Sequence, residues 1–180
     1  MSNIKEKALE YHAAGFNCAQ SVLAACKEYT GLDDSAALAI SAGFGGGLRS
    51  GEICGAISGA VMALGLVCPF NEADNAEAKV KIAELAKNCV SACNDEYDYV
   101  RCLDLKRSGA NCSEIIGRMA EIAENMIIKA KEKYGKLCCY FCKRLWYRRK
   151  GNRIEACEGA WYPLLRKPNP DTGVPDEWTR

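Results

Sequence analysis

The chain has 180 residues and a mass of 19.6 kDa, a length that suits one domain, or one domain with an appended segment. Hydrophobic residues make up 49% and charged residues 26%, which is typical of a globular protein and excludes a disordered or fibrous chain. The net charge of +1 gives no general attraction to nucleic acid or membrane. Twelve cysteines against one histidine, His12, exclude histidine-rich zinc sites and point to sulfur chemistry.

The start of the chain has no apolar core, because Lys5, Glu6, Lys7 and Glu10 are charged. We therefore expect no secretory signal and a cytoplasmic protein, in which thiols stay reduced and bind metal or do redox chemistry. One uncharged segment, residues 53–68, is shorter than the roughly 20 residues that cross a bilayer. We expect it to be a buried helix and expect no membrane span.

Taken in chain order, the sequence predicts helices and shows no alternating pattern long enough for a sheet. A glycine-rich segment, residues 44–47, is predicted to be a flexible loop. We expect an all-α fold, a compact domain of about five to six helices when the longer stretches are counted. The helical stretches are residues 3–14, 18–30, 33–42, 53–66, 76–90, 95–106 and 112–134.

Two Asn-Cys pairs, Asn17-Cys18 and Asn111-Cys112, have Gln or Glu three residues after the asparagine, which is the signature of a helix capping box. Each cysteine would then be the first residue of a helix, and Cys54 would lie in the first turn of another. Free backbone N–H groups and the helix dipole at these positions favour a thiolate, the form that binds metal and acts as a nucleophile. The alternative is that a buried cysteine serves only as a small apolar residue.

The segments GFNCAQSVL (residues 15–23) and CGAISGA (residues 54–60), followed by Cys102 and Cys112, resemble the C_GCAxxG_C_C family of redox-active proteins. The resemblance covers roughly residues 1–134. It implies a small helical domain, a redox or electron-transfer role and gene neighbourhoods with transporters. A related domain in split-Soret cytochromes is associated with an iron–sulfur centre.

The resemblance also implies which residues form the site. The redox or metal-ligating cysteines would be Cys18, Cys54, Cys102 and Cys112. Glycines of the central motif, Gly55 and Gly59, would let the backbone approach a cofactor closely.

This chain departs from the family pattern by adding cysteines. Cys89 and Cys93 are four residues apart on one predicted helix face and are an alternative pair of ligands. The sequence has no Cys-x-x-Cys-His motif, so a covalently attached haem of the usual kind is not expected.

The composition changes near residue 136, so we predict a helical domain over residues 1–136 and an irregular, partly disordered extension over residues 137–180. The extension contains all three tryptophans and four of the five prolines. Its Cys139 and Cys142 have a chelating spacing and form a candidate zinc site. A basic and aromatic segment, residues 143–153, more often forms a solvated turn than a nucleic-acid site, so we expect no nucleic acid as a partner.

Three functions remain open from the sequence. The leading hypothesis is electron transfer through a [2Fe–2S] or [4Fe–4S] cluster bound by Cys18, Cys54, Cys102 and Cys112. The first alternative is a thiol–disulfide oxidoreductase that uses a cysteine pair without metal. The second is an interaction module stabilised by zinc. The sequence does not separate an enzyme from an electron carrier, and it leaves open the redox partner protein, a link to transport and a homo-oligomer.

Overall fold

A computed structural model describes residues 4–134, and over this range the chain forms eight α-helices and no β-strand. The all-α prediction is confirmed. The extension at residues 137–180, with its cysteines, lies outside the described residues, so the boundary near residue 136 stays a prediction. The helices are α1 (Ile4–Ala13), α2 (Cys18–Ala25), α3 (Lys27–Thr30), α4 (Asp34–Ser41), α5 (Gly55–Val67), α6 (Ala76–Tyr97), α7 (Cys102–Arg107) and α8 (Cys112–Tyr134).

The centre of the domain is formed by α2 and α5, which pack against each other and against α8. On their other sides α2 contacts α1 and α4, and α5 contacts α6. The uncharged segment thus becomes a buried helix, as predicted, and none of the helices in the described part of the chain is long and apolar enough to cross a bilayer. The largest fully buried side chains include Leu23, Ile57, Leu64, Leu105, Ile116, Met119 and Ile127.

A single long helix over residues 18–30 is predicted by the sequence, but the structure divides it at Cys26. This residue has ψ of 5°, which interrupts the α-helical backbone between α2 and the short α3. Gly31 then ends α3 in the left-handed conformation, with φ of 68°. No glycine or proline marks the interruption at Cys26, so the hydrophobic periodicity alone could not reveal it.

The sequence also predicts separate helices over residues 76–90 and 95–106, and this division is wrong. Helix α6 continues to Tyr97 and ends at Asp98, which has a left-handed φ of 61° and whose N–H donates to the Asn94 carbonyl oxygen. Aspartate adopts this conformation more readily than most residues, but without a glycine the stop is hard to predict. As a result Cys102 is the first residue of a new helix.

The predicted capping box at the start of α2 is confirmed. Oδ1 of Asn17 accepts hydrogen bonds from the N–H groups of Ala19 (3.0 Å) and Gln20 (3.2 Å), and Gln20 Oε1 accepts one from the Asn17 N–H. The same asparagine donates from Nδ2 to the Ala42 carbonyl oxygen at 2.9 Å, and Gln20 Nε2 donates to that of Leu38. These bonds fix the start of α2 against the end of α4 and the turn that follows.

Replacing Asn17 by Ala should therefore lower the free energy of unfolding by about 2 kcal/mol, because one change removes a helix cap and a tertiary hydrogen bond. The control is Asn75→Ala at the start of α6, where the asparagine side chain accepts a single cap bond, from the Ala78 N–H. That variant should lose about 1 kcal/mol. Urea unfolding followed by circular dichroism measures both, and equal losses would contradict the assigned tertiary role of Asn17.

Candidate functional site

All four candidate site cysteines lie where a helix begins. Cys18, Cys102 and Cys112 are the first residues of α2, α7 and α8, and Cys54 directly precedes α5. Sequence reasoning placed only three of them at helix starts, because the turn that ends α6 carries no strong signal. At Cys54 the N–H groups of Ala56 and Ile57 bond to the thiol, whereas those that follow Cys18 are already bonded to the Asn17 side chain.

The central motif brings Cys18 next to the start of α5. A Cβ atom added to Gly55 would lie 2.5 Å from the Cys18 Sγ and 2.7 Å from the Phe44 carbonyl oxygen. A Cβ atom on Gly59 would lie 2.5 Å from the Ala19 carbonyl oxygen. Both glycines are thus needed for α5 to approach α2, and their predicted contact with a cofactor stays a prediction.

A short ladder joins Cys54 to Cys102. The Cys54 N–H donates to the Val100 carbonyl oxygen at 2.9 Å, and the Cys102 N–H donates to that of Glu52 at 2.6 Å. The side chain of Arg101 reinforces the ladder by pairing with the Glu52 carboxylate at 3.0 Å. These contacts place the starts of α5 and α7 side by side.

The thiols interact electrostatically in pairs. Burial raises the pKa of Cys102, and the neighbouring Cys18 and Cys112 thiols raise it further, whereas Lys106 lowers it. Cys18 is half-buried, and Cys112 is exposed at the start of α8, where the Asn111 side chain accepts a hydrogen bond from the Ser113 N–H. The site therefore extends from the interior to the surface.

Burial changes the expected chemistry of Cys54. It raises the pKa of this thiol to about 12, and the Cys18 and Cys93 thiols contribute to the rise. The backbone N–H groups of Ala56 and Ile57 oppose it without reversing it. The helix start thus favours the thiolate, as expected, but desolvation of the charge outweighs the two peptide dipoles. At neutral pH the metal-free Cys54 is a neutral thiol.

Three further buried thiols lie behind the site. Cys89 and Cys93 face the core from α6, as their spacing predicts, and Cys26 lies at the end of α2. Cys93 is close enough to Cys54 to raise its pKa, and its Sγ donates a weak hydrogen bond to the Tyr99 carbonyl oxygen at 3.8 Å. One member of the alternative ligand pair, Cys93, thus lies near Cys54.

The arrangement does not by itself form a closed ligand shell. Within residues 4–134 no three Cys, His, Asp or Glu side chains converge closely enough to hold a metal ion. The four thiols nevertheless fit an iron–sulfur cluster in their donor chemistry, since such clusters are held by cysteine thiolates. The candidate zinc ligands Cys139 and Cys142 lie outside the described residues.

A left-handed turn packs against the site. Four consecutive residues, Gly46 to Arg49, have φ between 57° and 64°, where the sequence predicts a flexible loop. For Leu48 and Arg49 this conformation costs about 1–2 kcal/mol each, since both carry a Cβ atom. A Cβ atom on Gly47 would lie 2.9 Å from the Cys102 Cβ, so the turn covers Cys102 closely.

The close approach at Gly55 predicts that two Gly→Ala substitutions in α5 differ strongly in their effect on stability. Gly55→Ala should lower the free energy of unfolding by about 2–3 kcal/mol, because the new methyl group meets the Cys18 thiol and a backbone oxygen. Gly65→Ala, where the nearest atom is 4.0 Å away, should leave stability unchanged or raise it by up to about 1 kcal/mol. Chemical denaturation measures both, and a harmless Gly55→Ala change would contradict the assigned packing.

The buried thiols predict a loss of stability in alkali. Burial, with smaller contributions from the Glu124 and Cys89 charges, raises the pKa of Cys26 to about 12. Below about pH 8.5 the thiol is protonated in both states, and its stabilising contribution is fully present. Between about pH 8.5 and the folded-state pKa only the unfolded chain releases the proton, so the free energy of unfolding falls by about 1.4 kcal/mol per pH unit for each such thiol.

The measurement is urea unfolding of the reduced protein between pH 8 and pH 10.5. Cys26→Ala should show a shallower decline than the parent protein, even though its stability at pH 8 is lower because the core loses a sulfur atom. Identical slopes in the two proteins would contradict the assignment.

One comparison with known proteins finds a match that includes the candidate site. The family model described as "putative redox-active protein (C_GCAxxG_C_C)" matches residues 16–126, which include all four helix-start cysteines. No curated protein and no solved structure shows significant similarity to the chain. Because the match covers more than half of its length, the chain belongs to the C_GCAxxG_C_C family of redox-active proteins.

Proposed function

We propose that this protein is an electron carrier in which Cys18, Cys54, Cys102 and Cys112 bind an iron–sulfur cluster. The observation that carries the proposal is that all four cysteines lie at helix starts and that their thiols interact in pairs, Cys54 with Cys18, and Cys102 with Cys18 and Cys112. Cluster sulfurs and cysteine thiolates accept hydrogen bonds from backbone N–H groups, and the start of α5 supplies two such groups, those of Ala56 and Ile57, to Cys54. When bound, the cluster would take up and release single electrons.

The electrostatics of the site support a metal-bound form. Burial raises the pKa values of Cys54 and Cys102, and of the charged side chains only Lys106 offsets the rise at Cys102. Thiolates in this environment need a nearby positive charge, and bound iron provides it, because a coordinated thiol is deprotonated. Cys54 and Cys102 are therefore better suited to holding a metal centre than to reacting as free thiolates.

The surrounding residues hold the thiols in place. Asn17 fixes the first turn of α2 and thereby Cys18, while Gly55 leaves room for its sulfur. The ladder between residues 52–54 and 100–102 orients Cys54 and Cys102 together. Since no three thiols converge in the described residues without a ligand, cluster binding requires the helix starts to draw closer, and it should add to the stability of the fold.

A thiol–disulfide oxidoreductase is the second candidate, and the position of Cys18 beside Cys54 favours it. The two thiols would lose two protons and two electrons to form a disulfide, with a low-molecular-weight disulfide as the oxidant, itself reduced to two thiols. The raised pKa of Cys54 argues that this attack is slow at neutral pH unless Cys18 acts first.

Anaerobic purification or reconstitution, followed by iron and acid-labile sulfide analysis and a visible spectrum, tests the proposal. We expect a coloured protein with iron and sulfide in equal amounts. Cys18→Ser, Cys54→Ser, Cys102→Ser and Cys112→Ser should each lose most of the iron. The matched controls Cys26→Ser and Cys68→Ser, which change buried cysteines outside the four, should retain it.

A colourless protein without iron after reconstitution would overturn the cluster. That protein is then treated with a disulfide. If it reversibly loses two titratable thiols, and this loss requires Cys18 and Cys54, the thiol–disulfide oxidoreductase replaces the electron carrier as the proposed function. Equal iron loss in the control variants would mean that the substitutions act through folding, and circular dichroism of each variant checks that.

A further inference from the structure

The left-handed turn contains two residues with side chains, although its backbone conformation is one that glycine adopts more easily. Glycine adopts this conformation without strain, and the chain already uses it at Gly46, Gly47 and Gly51. Leu48 and Arg49 occupy the same conformation with side chains attached. Leu48 is 52% exposed, and among residues 4–134 the Arg49 side chain has no ion pair or hydrogen bond, so neither side chain serves the interior.

The two side chains adjoin a small apolar surface beside the site. Ile53 and Leu103 are each 38% exposed, and Leu103 lies over Gly51, where an added Cβ atom would be 3.1 Å from the Leu103 Cβ. This docking patch therefore consists of Leu48, Arg49, Ile53 and Leu103. Two of its residues are next to the site cysteines in the chain, since Ile53 precedes Cys54 and Leu103 follows Cys102.

Among the described residues, the charges around the patch leave two cations, Arg49 and Lys106, without an ion pair. Glu52 and Asp104, the acidic neighbours, both pair with Arg101. Arg49 is thus the uncompensated charge of the patch within the described residues. A surface with exposed apolar side chains and one free guanidinium is complementary to a surface that presents a carboxylate among apolar groups.

We propose that the docking patch is where an acidic redox partner protein binds and exchanges electrons with the cysteine site. Electron-transfer encounters are small and short-lived, and an apolar centre with a charged rim suits them. The inference rests on the proposed redox function, and it names the surface and the charge of the partner. Strain held at two exposed residues is explained if both side chains contact another molecule.

Two forms of one electron acceptor, which differ in charge, test whether the docking patch prefers an acidic partner. The full-length reduced protein is mixed at low ionic strength with ferric cytochrome c, a basic protein, or with its succinylated form, which is acidic. The reduced iron–sulfur cluster would give up one electron and become oxidised, the ferric haem iron would take up that electron and become ferrous, and the rate is read at 550 nm. We expect faster reduction of the succinylated form, with the difference disappearing in high salt.

Arg49→Glu should slow reduction of the succinylated form by on the order of fivefold and accelerate that of the native form. The matched control is Lys129→Glu, which makes the same charge change at an exposed position about 25 Å along α8 from Cys112. It should change neither rate appreciably. Equal effects of the two variants, or faster reduction of native cytochrome c by the parent protein, would overturn the proposal.

A stability measurement separates contact with a partner from a role in folding. Leu48→Gly and Arg49→Gly remove strain and should leave the melting temperature unchanged or raise it, whereas Val80→Gly, in the right-handed α6 and 65% exposed, should lower it. A lower melting temperature in the two turn variants would show that the side chains are structural and would overturn the proposal.

The failure of the proposed function can be told from the failure of the docking patch. If neither cytochrome is reduced, the electron-carrier function fails, and docking is then read from backbone amide NMR shifts during titration with the succinylated form. Shifts at residues 46–53 that Arg49→Glu abolishes would support the patch. Shifts elsewhere, or none, would overturn it.

Discussion

The site depends on the close approach of α5 to α2, and that approach depends on two glycines without Cβ atoms. Gly55 and Gly59 each bring α5 against atoms of α2, one against a thiol and the other against a backbone oxygen. Glycine lowers helix stability by about 1 kcal/mol relative to alanine, so the close packing has to offset that cost. The helix interior tolerates these residues because α5 is held on several sides by α2, α6 and α8.

Two opposing effects act on the thiols at this contact. Helix starts favour a negative sulfur, whereas burial disfavours any charge, and for Cys54 burial is the larger effect. Without a metal the Cys54 thiol is therefore uncharged and compatible with a packed interior. A bound group with positive charge would favour the thiolate over the neutral thiol, because its charge would offset the negative charge of the sulfurs that bind it.

Much of the fold and part of the site can be predicted from the sequence, and the limits have physical causes. The cap at Asn17 is predictable because its hydrogen bonds join residues close in sequence. The end of α6 at Asp98 is not, because an aspartate in the left-handed conformation looks like any polar helical residue. The raised pKa of Cys54 also could not be predicted, since burial results from packing between distant segments.

The turn at Gly46 to Arg49 is another feature that the sequence predicts only in part. Its glycines predict an unusual backbone, but the pattern does not show that Leu48 and Arg49 share the conformation. That feature results from tertiary contacts, chiefly the packing of Gly47 against Glu52 and Cys102. Local propensity and tertiary structure disagree here, and such disagreement is commonest at functional positions.

The ladder between residues 52–54 and 100–102 has a consequence for the order of events during synthesis. Its two hydrogen bonds join partners about 50 residues apart in the sequence. Closing so long a loop costs conformational entropy, so these bonds form only after local helices have formed and offset part of that cost. A ribosome releases Cys18 and Cys54 well before Cys102 and Cys112. For seconds the growing chain thus exposes two of the four candidate thiols without their partners, and the set of four is complete only when the start of α8 has emerged.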